Sequence, residues 1–220
     1  MKYLPDCGPA TVVLGGSFDP VHRGHLLAAE EAAQQLGVPS VCLLPCHIPP
    51  HKSSLKASPQ QRLDMLHLAI ADNPRLAVDP WELEQQQPSY TYHTLMRFRQ
   101  ERGPDASVIF LMGWDALQGI ESWYRWQELL SLGHFAVWQR PGYSALPEPV
   151  NSWLVSRQAT PQELLASACG KVALLETTPL AVSSSQLREV LSGETSAAEH
   201  IPSDVKAYIA RNGLYETLTG

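Results

Sequence analysis

None of the four cysteines, Cys7, Cys42, Cys46 and Cys169, forms a CxxC pair, so the usual mark of a structural zinc site or a dithiol redox centre is missing. No basic N-terminal segment leads into an apolar stretch with a cleavage site, which makes the reducing cytoplasm the expected location. No run approaches the roughly 18 apolar residues of a membrane span. Positive charge is scarce too: 16 Lys and Arg stand against 22 Asp and Glu, giving a formal charge of -6 with no Lys/Arg-rich run. Long nucleic acids need a continuous positive surface and are therefore not expected partners. A small phosphorylated ligand is still compatible, because a few amides, histidines and arginines neutralise it locally. No internal repeat or low-complexity tract appears, and nothing marks the oligomeric state.

What is present fits one domain over 1–220: 220 residues, 44% of them hydrophobic, suffice for one substantial core. Short apolar runs recur at Thr11–Leu14, Val41–Leu44, Leu76–Val78, Val108–Met112, Phe135–Trp138 and Val172–Leu175, each read as a buried strand. Helical stretches lie between them. Gly24–Leu36 ends at Gly37; Ser58-Pro59-Gln60-Gln61 opens a helix with an apolar stripe of Leu63, Leu66 and Ile70; Tyr90–Gln100 follows. Residues 139–170 read as a surface excursion with one helix at Pro161–Ala168, and the chain closes on helices at Ser184–Leu191, ended by Gly193, and Ser203–Ala210, ended near Gly213. The alternation predicts an α/β fold: a mostly parallel sheet with helices on both faces.

Two segments carry chemistry. Gly15-Gly16-Ser17-Phe18-Asp19-Pro20-Val21-His22-Arg23-Gly24-His25 sits where the first strand hands over to a helix. Glycines there let a phosphate approach the backbone, the helix start offers free N–H groups, and two histidines three apart face one anion. An ordinary turn with surface histidines would look similar. A zinc site from His22 and His25 with Cys46, His47 or His51 is a further alternative, although it leaves the glycines unexplained. The second segment, Val182-Ser183-Ser184-Ser185-Gln186-Leu187-Arg188, gathers hydroxyls at a helix start with an arginine one turn on. Serines at such a position often act only as caps.

Together the segments resemble the signatures of the nucleotidyltransferase superfamily with a His-x-Gly-His tetrad on a Rossmann-like fold. Ser17 stands for the commoner Thr, Val182 for Ile and Ser185 for Thr. The resemblance implies that His22 and His25 bind ATP phosphates and stabilise departing pyrophosphate, and that Ser184 and Arg188 hold the β- and γ-phosphates. Gly15, Gly16, Ser17 and Phe18 would complete the ATP loop.

The intervening chain is similar to bacterial nicotinate mononucleotide adenylyltransferases over nearly its whole length. The similarity rests on Pro49-Pro50-His51-Lys52, Pro88-Ser89-Tyr90-Thr91, Gly113-Trp114-Asp115, Ser122-Trp123-Tyr124 and Arg140-Pro141-Gly142-Tyr143. It implies Gly113 and Asp115 at the ATP ribose or metal-nucleotide, and an acceptor pocket of Ser17, Lys52, Thr91, Trp123 and Tyr124. Trp123 would stack on the pyridine ring, while the Tyr124 amide and the Thr91 region would meet its carboxylate. The expected substrates are then ATP and nicotinate mononucleotide, with Mg²⁺ arriving on ATP. A pantetheine-phosphate adenylyltransferase shares the tetrad but lacks the Ser-Trp-Tyr and Pro-Pro-His-Lys features. A silent nucleotide-binding descendant would have no need to keep His22, His25 and Arg188 together.

Overall fold

A computed structural model describes residues 10–47, 55–85, 87–139, 145–178, 182–191 and 199–215. Its six strands are β1 (Ala10–Gly16), β2 (Val41–Pro45), β3 (Leu76–Val78), β4 (Ser107–Gly113), β5 (His134–Gln139) and β6 (Val172–Glu176). They form one sheet in the order β3-β2-β1-β4-β5-β6, and every pairing is parallel. The six runs expected from the sequence each fall inside one strand.

These strands are apolar on both faces because both faces are covered. Val12, Leu14, Leu43, Ile109 and Leu111 point into one core, while Val13, Leu44, Phe110, Met112 and Phe135 point into the other. The first core is closed by α1 (Arg23–Leu36), α2 (Pro59–Ile70), α6 (Pro161–Leu165), α7 (Ser184–Leu191) and α8 (Ser203–Arg211). The second is closed by α3 (Thr91–Arg102), α4 (Trp114–Gln118), α5 (Glu148–Val155) and the 3-10 turn Trp126–Ser131. Helices on both sides of a parallel sheet make the fold Rossmann-like.

Local chemistry sets the helix ends. Alanines 28, 29, 32 and 33 line the buried side of α1 with Leu36, and Gly37 stops the helix at φ 67, a conformation costly for other residues. At α2 the Ser58 hydroxyl accepts from the Gln61 N–H at 3.2 Å while the Gln61 side chain accepts from the Ser58 N–H at 2.8 Å, a reciprocal capping box.

The α2 stripe of Leu63, Leu66 and Ile70 packs on the first core as expected, Leu66 fully buried and the other two partly, with Arg62 and Met65 buried beside it. One expectation needs correction: residues 139–170 are no mere surface excursion. Helix α5 buries Val150, Trp153 and Leu154, and α6 buries Leu164. The spacing of the first three is helical, but Pro147 and Pro149 disguise the helix start as a loop. Gly193 and the Arg140–Tyr143 segment lie outside the described residues.

His134 opens β5 in a fully buried position. Its Nδ1 accepts from the Lys171 N–H at 3.2 Å, so the neutral ring donates from Nε2 to the Ser167 carbonyl at 2.8 Å. Burial pushes its pKa below the ordinary histidine value, and the charges of Lys171 and Arg99 push the same way. A folded-state pKa below the unfolded one means that stability is whole above the unfolded value, about 6.5, and drains as pH falls below it. The expected result is a steeper acid-side fall of Tm in the wild type than in His134→Gln. Superimposable slopes below pH 6.5, in thermal unfolding followed by circular dichroism, would remove the histidine from that role.

Candidate active site

The sheet order reverses between β1 and β4, so their C-terminal ends splay and leave a crevice, the usual ligand position in such sheets. A cleft of about 280 Å³ opens there, lined by Gly15, Gly16, Ser17 and His25 from the first motif and by Gly113 from the end of β4. Thr91 and Trp123 line the same cleft, as do Phe110 and Trp138, whose rings pack against Gly15 and Gly113. The structure thus gathers seven of the expected site residues around one cavity.

His22 and His25 stack with ring centroids 3.7 Å apart, and the His22 N–H donates to Nδ1 of His25 at 3.3 Å. Beneath them the Phe18 ring is completely buried and meets His25 edge-on at 5.0 Å. Any Phe18 contact with a nucleotide therefore falls to its backbone, which adopts φ 48, a left-handed conformation sparsely populated by bulky residues. Such strain is typical of loops shaped for a ligand.

The second motif reaches the same loop. Arg188 Nη1 donates to the Asp19 carbonyl at 2.6 Å, and the Ser184 hydroxyl donates to the Pro20 carbonyl at 3.0 Å. The glycine of the His-x-Gly-His tetrad explains how the segments come so close. A Cβ on Gly24 would lie 3.0 Å from both the His22 ring and Val182 Cγ1, so close that these neighbours would have to give way. Gly24 is the gap through which the two motifs touch.

Other predicted residues are more peripheral. Asp115 is exposed in the first turn of α4, just beyond the cleft. Tyr124 is 46% exposed and packs against Tyr90, Tyr92 and His93, so its backbone rather than its ring lies next to Trp123. Lys52 and His51 lie outside the described residues. The zinc alternative finds no support in the geometry: among the described residues no group of three or more His, Cys, Asp or Glu could hold a metal ion. None of the described helices is long and apolar enough to cross a membrane.

Sequence reasoning passed over several groups. Glu82 is buried in the cleft wall, takes a hydrogen bond from the Thr94 hydroxyl, and has its pKa raised by burial. Arg62, fully buried, donates from Nη1 to the Ser17 carbonyl at 2.8 Å. Asp19 accepts from the Lys56 and Ala57 amides at 2.8 and 3.0 Å and from the Tyr215 hydroxyl at 2.7 Å. An arginine within a stripe of buried helix positions was the one available hint.

Comparison with known proteins follows the same lines. Residues 13–190 match the family model described as cytidylyltransferase-like. A Dechloromonas aromatica protein named "Probable nicotinate-nucleotide adenylyltransferase" is 42% identical over 208 residues, spanning 92% of this chain and 96% of the relative. A Yersinia pestis protein of the same name is 41% identical over 206 residues, spanning 92% and 94%. Among solved structures, a Plasmodium falciparum nicotinic acid mononucleotide adenylyltransferase complexed with NaAD is 20% identical, with a TM-score of 0.70 over 94% of this chain and 97% of that one. At that identity the likeness speaks for the fold, whereas the curated relatives speak for descent. Joined motifs, sheet topology and full-length similarity agree: the chain belongs to the cytidylyltransferase-like family, among the nicotinate-nucleotide adenylyltransferases.

Proposed function

We propose that this chain, acting as one domain in the cytoplasm, transfers AMP from ATP to nicotinate mononucleotide, giving nicotinate adenine dinucleotide and pyrophosphate on the way to NAD. A 5'-phosphate oxygen of the acceptor attacks the α-phosphorus in line, and the bond from that phosphorus to the pyrophosphate oxygen breaks. The nucleophile is already anionic near neutral pH, so alignment and charge neutralisation carry the rate and no covalent enzyme intermediate is needed. His22 and His25 stabilise the charge gathering on pyrophosphate. Arg188 and Ser184 hold its outer phosphates, while Gly15, Gly16 and the Ser17 backbone cradle the nucleotide. Gly113 and Asp115 serve the ATP side, and Lys52, Thr91, Trp123 and the Tyr124 amide the acceptor.

The observation that carries this reading is the meeting of two distant motifs: the Arg188 guanidinium bonds the backbone of the loop that bears His22. Mg²⁺ comes in on the ATP phosphates, where it neutralises charge. The carboxylate inside the loop, Asp19, is committed to two amides and a phenol, which argues against a cage built on it. Pyrophosphate release measured in parallel with nicotinate mononucleotide, nicotinamide mononucleotide and phosphopantetheine tests the assignment. Nicotinate mononucleotide should give the highest kcat/KM; preference for phosphopantetheine would overturn it.

Trp123 lines the cleft with its ring held edge-on by Phe110 at 6.1 Å, leaving a face for the pyridine ring. Trp123→Ala should raise the acceptor KM about tenfold, the usual size of a lost aromatic stack, with the ATP KM little changed. Unaltered acceptor affinity in a titration would rule out stacking.

A further inference from the structure

The loop 16–20 is held from outside at nearly every carbonyl. Gly16 accepts from the Cys46 N–H at 2.9 Å, Ser17 from Arg62 at 2.8 Å, Asp19 from Arg188 at 2.6 Å and Pro20 from Ser184 at 3.0 Å. With its carbonyls engaged elsewhere, the loop keeps the shape that sets the two imidazoles. The Asp19 carboxylate ties this loop to the rest of the fold through a set of polar partners. It is 1% exposed, and a carboxylate so buried is stable only when its lone pairs are used. Lys56 N–H serves Oδ2, while Ala57 N–H and the Tyr215 hydroxyl share Oδ1. Tyr215 is the only side chain among those three donors, and it arrives from the turn after α8, 196 residues away.

We propose that Tyr215 is a positioning residue for adenylyl transfer, its hydroxyl locking the Asp19 carboxylate and thereby the orientation of the His22 loop; this rests on the function proposed above. Tyr215 takes φ 67, a backbone conformation that costs a non-glycine residue about 1–3 kcal/mol and that an aromatic serving only as filler has no reason to adopt. Its phenol sits among charges: Asp19 accepts its hydrogen bond, and the guanidinium groups of Arg62 and Arg188 lie near enough to act on it. Burial, followed by the Asp19 charge, pushes the phenol pKa far up, so the hydroxyl remains a donor throughout the working pH range. The two guanidinium groups outnumber the one carboxylate, which leaves the cluster net positive beside the proposed phosphate site. Asp19 precedes His22 by three residues, and a displacement of about 1 Å at a reacting group is enough to cost up to a hundredfold in rate.

The test is a kinetic cycle on Tyr215→Phe, Asp19→Asn and the double variant, assayed as pyrophosphate release at 25 °C on protein shown folded by circular dichroism. Tyr215→Phe should lower kcat about tenfold while the KM for nicotinate mononucleotide stays within about twofold, a split that general loosening of the fold would not produce. Asp19→Asn should lower kcat at least as far, and adding Tyr215→Phe to it should change nothing more, since the phenol acts through that carboxylate. A kcat for Tyr215→Phe equal to that of the wild type, or losses that multiply in the double variant, would overturn the proposal. If Asp19→Asn does not fold, the kcat and KM of Tyr215→Phe decide alone. Wild type with no turnover would sink the proposed function and this inference together; wild-type turnover with an unaffected Tyr215→Phe sinks only the inference.

Discussion

His22→Ala is expected to lower kcat about 10²- to 10³-fold, the usual loss when one preorganised group facing developing charge is removed. The KM values for ATP and for the acceptor should move by no more than about threefold, because stabilisation specific to the transition state leaves ground-state binding nearly untouched. The size of the effect follows from rigidity. His22 is 3% exposed, stacked on His25 at 3.7 Å, and flanked by a loop whose carbonyls are held from outside. Water entering the space left by the imidazole has no such fixed orientation, so its dipoles must reorganise as charge develops. Single-turnover measurements separate this from slow product release. A variant retaining more than about a third of wild-type kcat would remove His22 from the chemistry.

Arg62→Met is expected to cost about 3 kcal/mol of stability, the lower end for removing one partner from a buried charge cluster. For a chain of 220 residues that corresponds to a fall in Tm of about 6–12 °C. The guanidinium is fully buried beneath the motif, donates to the Ser17 carbonyl at 2.8 Å and reaches toward the His47 carbonyl at 3.5 Å. Burial pulls its pKa down, while Cys46, Asp19 and Tyr215 favour its charge. Methionine fills much of the volume but removes the guanidinium donor from the Ser17 carbonyl and leaves Arg188 as the remaining positive charge beside the Asp19 cluster. Arg62→Lys should fall between, since it keeps the charge and loses the planar fork. A methionine variant melting within about 2 °C of wild type would mean the charge contributes nothing to the loop.

How much of this was legible beforehand depended on how local each signal is. Val41–Leu44 and Val108–Met112 read as strands because parallel strands buried on both sides are continuous apolar runs, a pattern little else produces at that length. The capping box at Ser58 and the stop at Gly37 were equally local. Helix α5 was missed because its prolines look like loop punctuation, although Val150, Trp153 and Leu154 recur with helical spacing. In the site, the histidines and the Ser184–Arg188 segment were readable as motifs. The Arg62, Asp19 and Tyr215 cluster was not, since an arginine on a helix is ordinarily a surface residue. Nothing in a linear pattern pairs Tyr215 with a carboxylate near the other end of the chain. Short-range chemistry is written in neighbouring residues; the packing that fixes its geometry is written across the whole length.

The anchoring of the 16–20 carbonyls also orders events in time. Ribosomes deliver the histidine loop early, yet the groups that fix it come from Cys46, Arg62, Ser184 and Arg188. A nascent polypeptide therefore carries its imidazoles for most of translation with only the Cys46 and Arg62 clamps emerged, those from Ser184 and Arg188 still to come. The loop is held at all four of these carbonyls only after Ser184 and Arg188 have emerged and folded back onto it.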